Sequence, residues 1–380
     1  MLNREKLLTS RLDTENLRFR PLVGPARLGS PNERSRDIAK NGSVDAEFPP
    51  DTGQNHKSAT TSPTVADRSA MQRDHWAWKH YQHACKYHWL PEQVDLAKDQ
   101  AQWRAQHALT LDEREIVKQC LGFLSQTTQQ AEQTGVLGLH RHISHPACRQ
   151  YLSRQAFEEG LHRHAVWVLL RAFEWERPGP LHQSNDEQLQ WLVKQVTPLK
   201  DETFSTLETG ARQQLLRTLI ATYVLQLGLF VPANIVQIAS LSRRGKLCGT
   251  AKLLHFILCD QNRQLLFGVD LINQIKIDHP ELWTEPLQQA TAAQIREAVS
   301  LATSSAYASL PRGLLGLNAP MLEEYLRFLA NRRCAQLSLA ELFPGASNPF
   351  PWLDIHGDST KPRVDESNRT PTDTELDWNH

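Results

Sequence analysis

The sequence predicts an all-α helical bundle. Between Met71 and Trp352 apolar residues recur at three- and four-residue spacing, alternating β-branched runs are few, and several segments carry helix-start and helix-stop chemistry. Thr110 stands before LDEREIVKQCLGFL as an N-cap, with acidic residues in the first turn where they complement the helix dipole, and this helix is expected to run to about His140. Pro146 opens the next, which is expected to stop before Pro178 and Pro180. Long helices follow at roughly 211–242, 246–276, 287–308 and 319–338, with Arg243, Arg244 and Gly245 marking one break. HWAWKHYQHACKYHW (75–89) reads as a first helix packed on the bundle, with Trp89 at its end.

The ends of the chain differ from its middle. Residues 1–70 carry GPARLGSPNERSRD, PPDTGQN and SATTSPTVADRS, too poor in apolar surface to offset the entropy of ordering, and are expected to form a disordered extension. Residues 71–352 are expected to form the folded domain and 353–380 a flexible polar tail. With 42 Lys+Arg against 42 Asp+Glu, the charge balance makes no case for nucleic acid or an anionic membrane as partner. No apolar run is expected to reach the ~18 residues a membrane span requires. The start, MLNREKLLTSRLDTENLRF, lacks the apolar region of a secretory signal. Six scattered cysteines without a CxxC pair fit reduced thiols, so a cytoplasmic location is expected.

One stretch points to chemistry. In AFEEGLHRHAVWVLL (156–170), Glu159 and His162 stand three apart on a largely apolar helix. A bundle that builds a two-metal carboxylate site needs this Glu-x-x-His twice, plus a carboxylate from each of two other helices. The segment with the right shape for the second copy is LLHFILCDQNRQLLFGVDLINQI (253–275), and there the two positions hold Gln261 and Gln264. HRHISH (140–145) is histidine-dense and could bind metal, but at a helix end before Pro146 it is expected to be solvated, its histidines near the last carbonyls. RSRD and SRRGK read as solvated charge.

WLPEQVDLAKDQAQW (89–103), LTLDEREIVKQCLGFLS (109–125), AFEEGLH (156–162), CDQNRQLLFGVDLINQI (259–275) and SNPFPW (347–352), in this order, resemble the small, radical-generating subunit of class I ribonucleotide reductase. The resemblance spans about Trp76 to Trp352 and implies a ferritin-like helical bundle, a homodimer, and a tail that docks on the large subunit. Its functional positions transfer unevenly. The first carboxylate ligand falls at Thr128, and the first Glu-x-x-His is intact as Glu159 and His162. The lone carboxylate of the third ligand helix falls at Leu227, beside Gln226, and the second Glu-x-x-His becomes Gln261 and Gln264. The radical-bearing aromatic, seven residues after the glutamate, becomes Val166. Neighbours such as Glu132, Glu158, His140 and His164 are expected to point off the ligand face.

The resemblance also implies a radical-transfer chain of tryptophan, aspartate and histidine, matched by Trp89, Asp260 and His162; a buried polar cluster is the plainer account of the same three. The tail tyrosine that relays the radical is missing, since no tyrosine follows Tyr325; Leu376 and Trp378 in DTELDWNH are the candidate docking residues. The expectation is therefore a degenerate metal site with no cofactor, in a chain acting as a non-radical partner or regulator of the reductase in deoxyribonucleotide synthesis. Its partners would be the large subunit and either a second copy or an intact small subunit. Two alternatives stay open. One is an active radical-generating β subunit with an unconventional iron or manganese cofactor. The other is a ferritin-like binding module unrelated to nucleotide reduction.

Overall fold

A computed structural model describes residues 75–130, 136–175, 186–197 and 209–353. The extension expected over 1–70, residue Glu132, and the tail from 354 onward with Leu376 and Trp378 lie outside the described residues. All regular structure among the described residues is helical: α1 (Trp76–Lys86), α2 (Ala97–Arg104), α3 (Leu111–Gln130), α4 (Val136–His142), α5 (Pro146–Ala172), α6 (Glu187–Val196), α7 (Thr209–Leu219), α8 (Val231–Ser242), α9 (Cys248–Asp278), α10 (Glu285–Ser309) and α11 (Ala319–Gln336). The helix expected from Thr110 to about His140 is covered by α3 and α4, and residues 131–135 between them lie outside the described residues. Helix α1 also ends at Lys86, earlier than expected, which leaves Trp89 in the loop beyond it.

The helix ends follow from their residues. At the start of α3 the Thr110 hydroxyl accepts from Glu113 N–H at 3.2 Å while the Glu113 carboxylate accepts from Thr110 N–H at 2.8 Å, a reciprocal capping box. Pro146 occupies the first turn of α5, where its missing N–H costs nothing. Helix α9 follows the turn at Gly245 (φ 71°), and the Asp99 carboxylate on α2 receives the N–H groups of Gly249 and Thr250 at 3.2 and 2.5 Å. Gly249 is required there, because a Cβ would lie 2.6 Å from the Asp95 carbonyl oxygen.

Helix α5 runs through the middle, packed against α1, α3, α4 and α9. Because it is covered on several sides, adjacent residues such as Glu158 and Glu159 are both buried. Opposite it, α7 and α8 are joined without a break by a π-wound segment, Ile220–Phe230, that packs on α9. The winding brings the Tyr223 ring against α9, where only Gly268 leaves room: a Cβ would sit 2.0 Å from the ring. Against the expectation that no apolar run reaches membrane-span length, the whole helix, Thr209–Ser242, is long and apolar enough to cross a membrane by composition. Its most apolar window is 94% buried inside the fold, as expected of a core helix.

SRRGK is not ordinary solvated charge. Lys246 Nζ reaches both oxygens of the buried Glu113 at 2.7 and 2.8 Å, and Arg244 Nη1 adds a contact at 2.9 Å. Burial raises the Glu113 pKa, but Lys246, the Thr110 N–H and Arg244 outweigh it and hold the carboxyl below the usual glutamate range. The stability this gives is present above that range and lost as pH falls through the lowered value. Glu113→Gln is expected to cost about 2–4 kcal/mol in denaturant unfolding at pH 7, and the gap should close on acidification. A variant as stable as the parent at pH 7 would remove Glu113 from the fold's main supports.

Candidate metal and radical-transfer site

Trp89, His162 and Asp260 come together from a loop, α5 and α9. Trp89 Nε1 donates to Asp260 Oδ2 at 2.6 Å, and His162 Nε2 lies 3.1 Å from the same oxygen. The Trp89 and His162 rings are nearly parallel, their centroids 6.2 Å apart. Arg263, one turn further along α9, donates from Nη2 to Asp260 Oδ1. All four side chains are buried.

A second cluster adjoins the first along α5. Glu159 Oε2 lies 3.7 Å from His162 Nδ1, and neither atom has a hydrogen-bond partner. Glu158 Oε1 accepts from Arg154 Nε at 3.1 Å, and its Oε2 accepts from Gln264 Nε2 at 3.1 Å. Burial alone would lower the His162 pKa, but the bond to Asp260 and the Glu159 and Asp260 carboxylates push it up to about 10. Burial and the nearby Asp260 charge raise Glu158 to about 7, against the pull of Arg154. Three buried carboxyl groups, Glu158, Glu159 and Asp260, thus lie beside Arg154, Arg263 and protonated His162, with Glu158 partly protonated near neutral pH.

The remaining positions carry little donor chemistry. The Thr128 hydroxyl donates back to the Leu124 carbonyl at 2.8 Å within its own helix. Leu227 and Val166 are buried hydrocarbon. Gln261 Oε1 and Gln264 Oε1 are buried and without partners. Glu159 Oε2, His162 Nδ1 and these two amide oxygens are the buried atoms without a hydrogen-bond partner at these positions. They include one carboxylate, whereas two divalent ions in a core of low dielectric need several anionic oxygens to offset their charge.

The fold and this arrangement define the R2 type of helical bundle. A family model described as "Ribonucleotide reductase, small chain" matches residues 70–349, and the chain belongs to that family. The ribonucleoside-diphosphate reductase subunit beta of Chlamydia pneumoniae is 35% identical over 292 residues, covering 75% of this chain and 84% of that protein. The ribonucleotide reductase R2 subunit from Clostridium botulinum shares the fold with TM-score 0.64 at 22% identity, over 73% of this chain and 87% of that one. The Rnr4 homodimer of Saccharomyces cerevisiae superposes with TM-score 0.60 at 18% identity, over 73% and 83%. An R2-like ligand-binding oxidase with a Mn/Fe cofactor gives 0.56 at 14%, over 75% of this chain and all 100% of that one.

Of the neighbours expected to point away, His164 does so, lying 3.6 Å from Glu92 at the surface, and His140 is half-buried against Ser153 at 3.1 Å. Glu158 does not: it is buried and bonded to Gln264, one of the two glutamines expected at the positions of the second Glu-x-x-His. Sequence reading also passed over Arg154, Arg263 and the buried pair Tyr223–Gln155, joined at 2.8 Å. The available signal was charge spacing inside apolar helices, Arg154 to Glu158 at i,i+4 and Asp260 to Arg263 at i,i+3. HRHISH is a further correction. His142 is 5% and His145 8% exposed, because α4 and the start of α5 turn these rings inward.

A raised histidine contributes its stability in full below the ordinary histidine range and loses it as pH rises through about 10. The parent protein should therefore lose stability between about pH 7 and 10. Asp260→Asn keeps an acceptor for Trp89 but leaves His162 and Arg263 without their carboxylate. Denaturant unfolding should report a loss of roughly 3–5 kcal/mol at pH 7 and a flatter alkaline limb. Equal stability and an unchanged pH profile would mean that the charge cluster contributes nothing.

Proposed function

We propose that this chain is a metal-poor, non-radical member of the ribonucleotide reductase system, acting in the cytoplasm in deoxyribonucleotide synthesis. It folds with, stabilises or regulates a competent small subunit, or occupies the site on the large subunit where small-subunit tails dock. The observation that carries this reading is the charge balance of the core, in which Arg154, Arg263 and His162 stand opposite Glu158, Glu159 and Asp260. A core that answers its carboxylates with its own cations has no electrostatic need of metal, and a pair of ions would be repelled by the guanidinium of Arg263. Thr128 and Leu227 supply no anionic oxygen, and Val166 supplies no phenol to store a radical.

A second reading has its own support. Trp89, Asp260 and His162 keep the bonded chain that the family resemblance links to radical transfer, and Glu159, His162, Gln261 and Gln264 each present an unpartnered atom. On that reading the chain is an active β subunit with an unconventional iron or manganese cofactor. Metal loading separates the two. After aerobic loading with iron and manganese, elemental analysis should find far less than one equivalent of either per chain, and two tightly held ions would establish the second reading.

The partnership is tested through the tail. In DTELDWNH, Leu376 and Trp378 are the only large apolar side chains, and a segment that orders on binding is anchored by such residues. A peptide covering Asp373 to His380 should compete with the full chain for the large subunit of the same organism. Trp378→Ala should weaken binding by ~2 kcal/mol or more, read by titration calorimetry. A chain that binds neither the large subunit nor an intact small subunit would leave the binding module unrelated to nucleotide reduction as the better account.

A further inference from the structure

A different group of side chains lies at the start of α5. His75, His145 and Cys148 each place a ligand atom within 4.8 Å of the other two, and among the described residues they are the one such group of three His, Cys, Asp or Glu donors. They come from distant parts of the chain. His75 is the N-cap of α1, His145 is the N-cap of α5, and Cys148 is the third residue of α5. The His75 and His145 rings are stacked with centroids 3.8 Å apart. His145 and Cys148 are buried, and His75 closes the group at its half-exposed edge.

We propose that His75, His145 and Cys148 form a binding site for one zinc ion, separate from the Glu159/His162 cluster. Cys148 lies eleven residues before Glu159 on the same helix, about 16 Å at the rise of an α-helix. Two imidazoles and a thiolate are the soft, mixed donor set that zinc prefers over iron or manganese in an oxygen site, and they leave a fourth tetrahedral position for water. Around tetrahedral zinc such donors stand about 3.5 Å apart, so donors now within 4.8 Å of one another close by about 1 Å and the stacked rings rotate to converge on one ion.

The chemistry of each donor fits, with a defined exchange of protons and hydrogen bonds. Burial, helped at His75 by the neighbouring His145, lowers both imidazole pKa values, His75 to about 4, so both rings are neutral at pH 7. Each Nδ1 accepts the backbone N–H two residues on, from Ala77 and Ala147, both at 3.2 Å. With Nδ1 accepting, the neutral ring carries its proton on Nε2, and Nδ1 holds the lone pair free of a proton that a metal would take. Binding therefore exchanges two caps for two metal–nitrogen bonds and turns the rings out of their stack. Burial pushes the Cys148 thiol up to about 12, so it binds as thiolate by releasing its proton to solvent as the zinc–sulfur bond forms. Its place in the first turn of α5 favours the thiolate once the proton has left.

This site pins the beginning of α1 to the beginning of α5, and it stands or falls independently of the proposed function. The full chain, stripped with chelator, is titrated with zinc against a chromophoric chelator and then, in a second sample, with cobalt(II). One equivalent of zinc is expected, and cobalt should produce the near-ultraviolet sulfur-to-metal charge-transfer band and the strong visible bands of a tetrahedral thiolate complex. Cys148→Ser should abolish the charge-transfer band. His75→Gln, at the accessible edge where folding is least at risk, should weaken zinc binding at least tenfold, with an unchanged far-ultraviolet spectrum. The surface variants Cys85→Ser and Cys248→Ser should leave both readouts intact. Failure to retain zinc, a charge-transfer band that follows Cys85 or Cys248, or zinc binding lost in Glu159→Gln but kept in Cys148→Ser and His75→Gln would each overturn the assignment.

Discussion

A carboxylate sealed in the middle of a helical bundle must be answered from all sides, and Asp260 sets the terms on which this core assembles. An ionised carboxylate removed from water costs several kcal/mol unless its oxygens are bonded. Asp260 meets that demand with an indole N–H from the loop after α1, an imidazole from α5 and a guanidinium from its own helix. The three donors fix the height of α5 against α9 and draw the loop after α1 inward. Glu158 and Gln264 tie α5 to α9 one layer away, and Arg154 links that layer to the Ala84 carbonyl of α1 at 3.3 Å. The polar interior is thus a connected set of charges spanning the helices that hydrophobic packing alone would leave free to slide.

Much of this scaffold could be read from the residues. Thr110, Pro146 and Gly245 mark helix ends by local chemistry that needs no tertiary information, and the long helices fall within a few residues of where periodicity places them. Glu159 and His162, three apart on a largely apolar helix, are both buried. What escaped was decided by more than one helix at a time. Helical periodicity assigns one buried face, so Glu158 looked misdirected beside Glu159. A helix enclosed on several sides buries both. SRRGK has a solvated composition, and only the fold brings its Lys246 and Arg244 to a glutamate far away in sequence.

The family relationship resides in the scaffold more firmly than in the chemistry. A small-chain relative aligns over about three quarters of this chain, while the interior around Glu159 and His162 also holds the amides of Gln261 and Gln264, the Thr128 hydroxyl and the hydrocarbon of Leu227 and Val166. A fold can keep its packing rules after the residues of a site have changed, because packing and reactivity depend on different atoms. The shared bundle therefore speaks to packing, and the chemistry of the interior has to be read from its own side chains.

The π-wound stretch from Ile220 to Phe230 has a consequence for how this helix tolerates change. Its hydrogen bonds span five residues in place of four, so each turn holds more chain than an α-turn of the same height. That surplus is slack. Loss of one residue from this stretch can be absorbed by tightening a turn, with Thr209 and Ser242 staying where their neighbours need them, whereas the same loss in the regular winding of α9 would rotate every later side chain by about a quarter turn. Inheritance can thus lengthen or shorten the helix opposite α5 by single residues and still close the bundle.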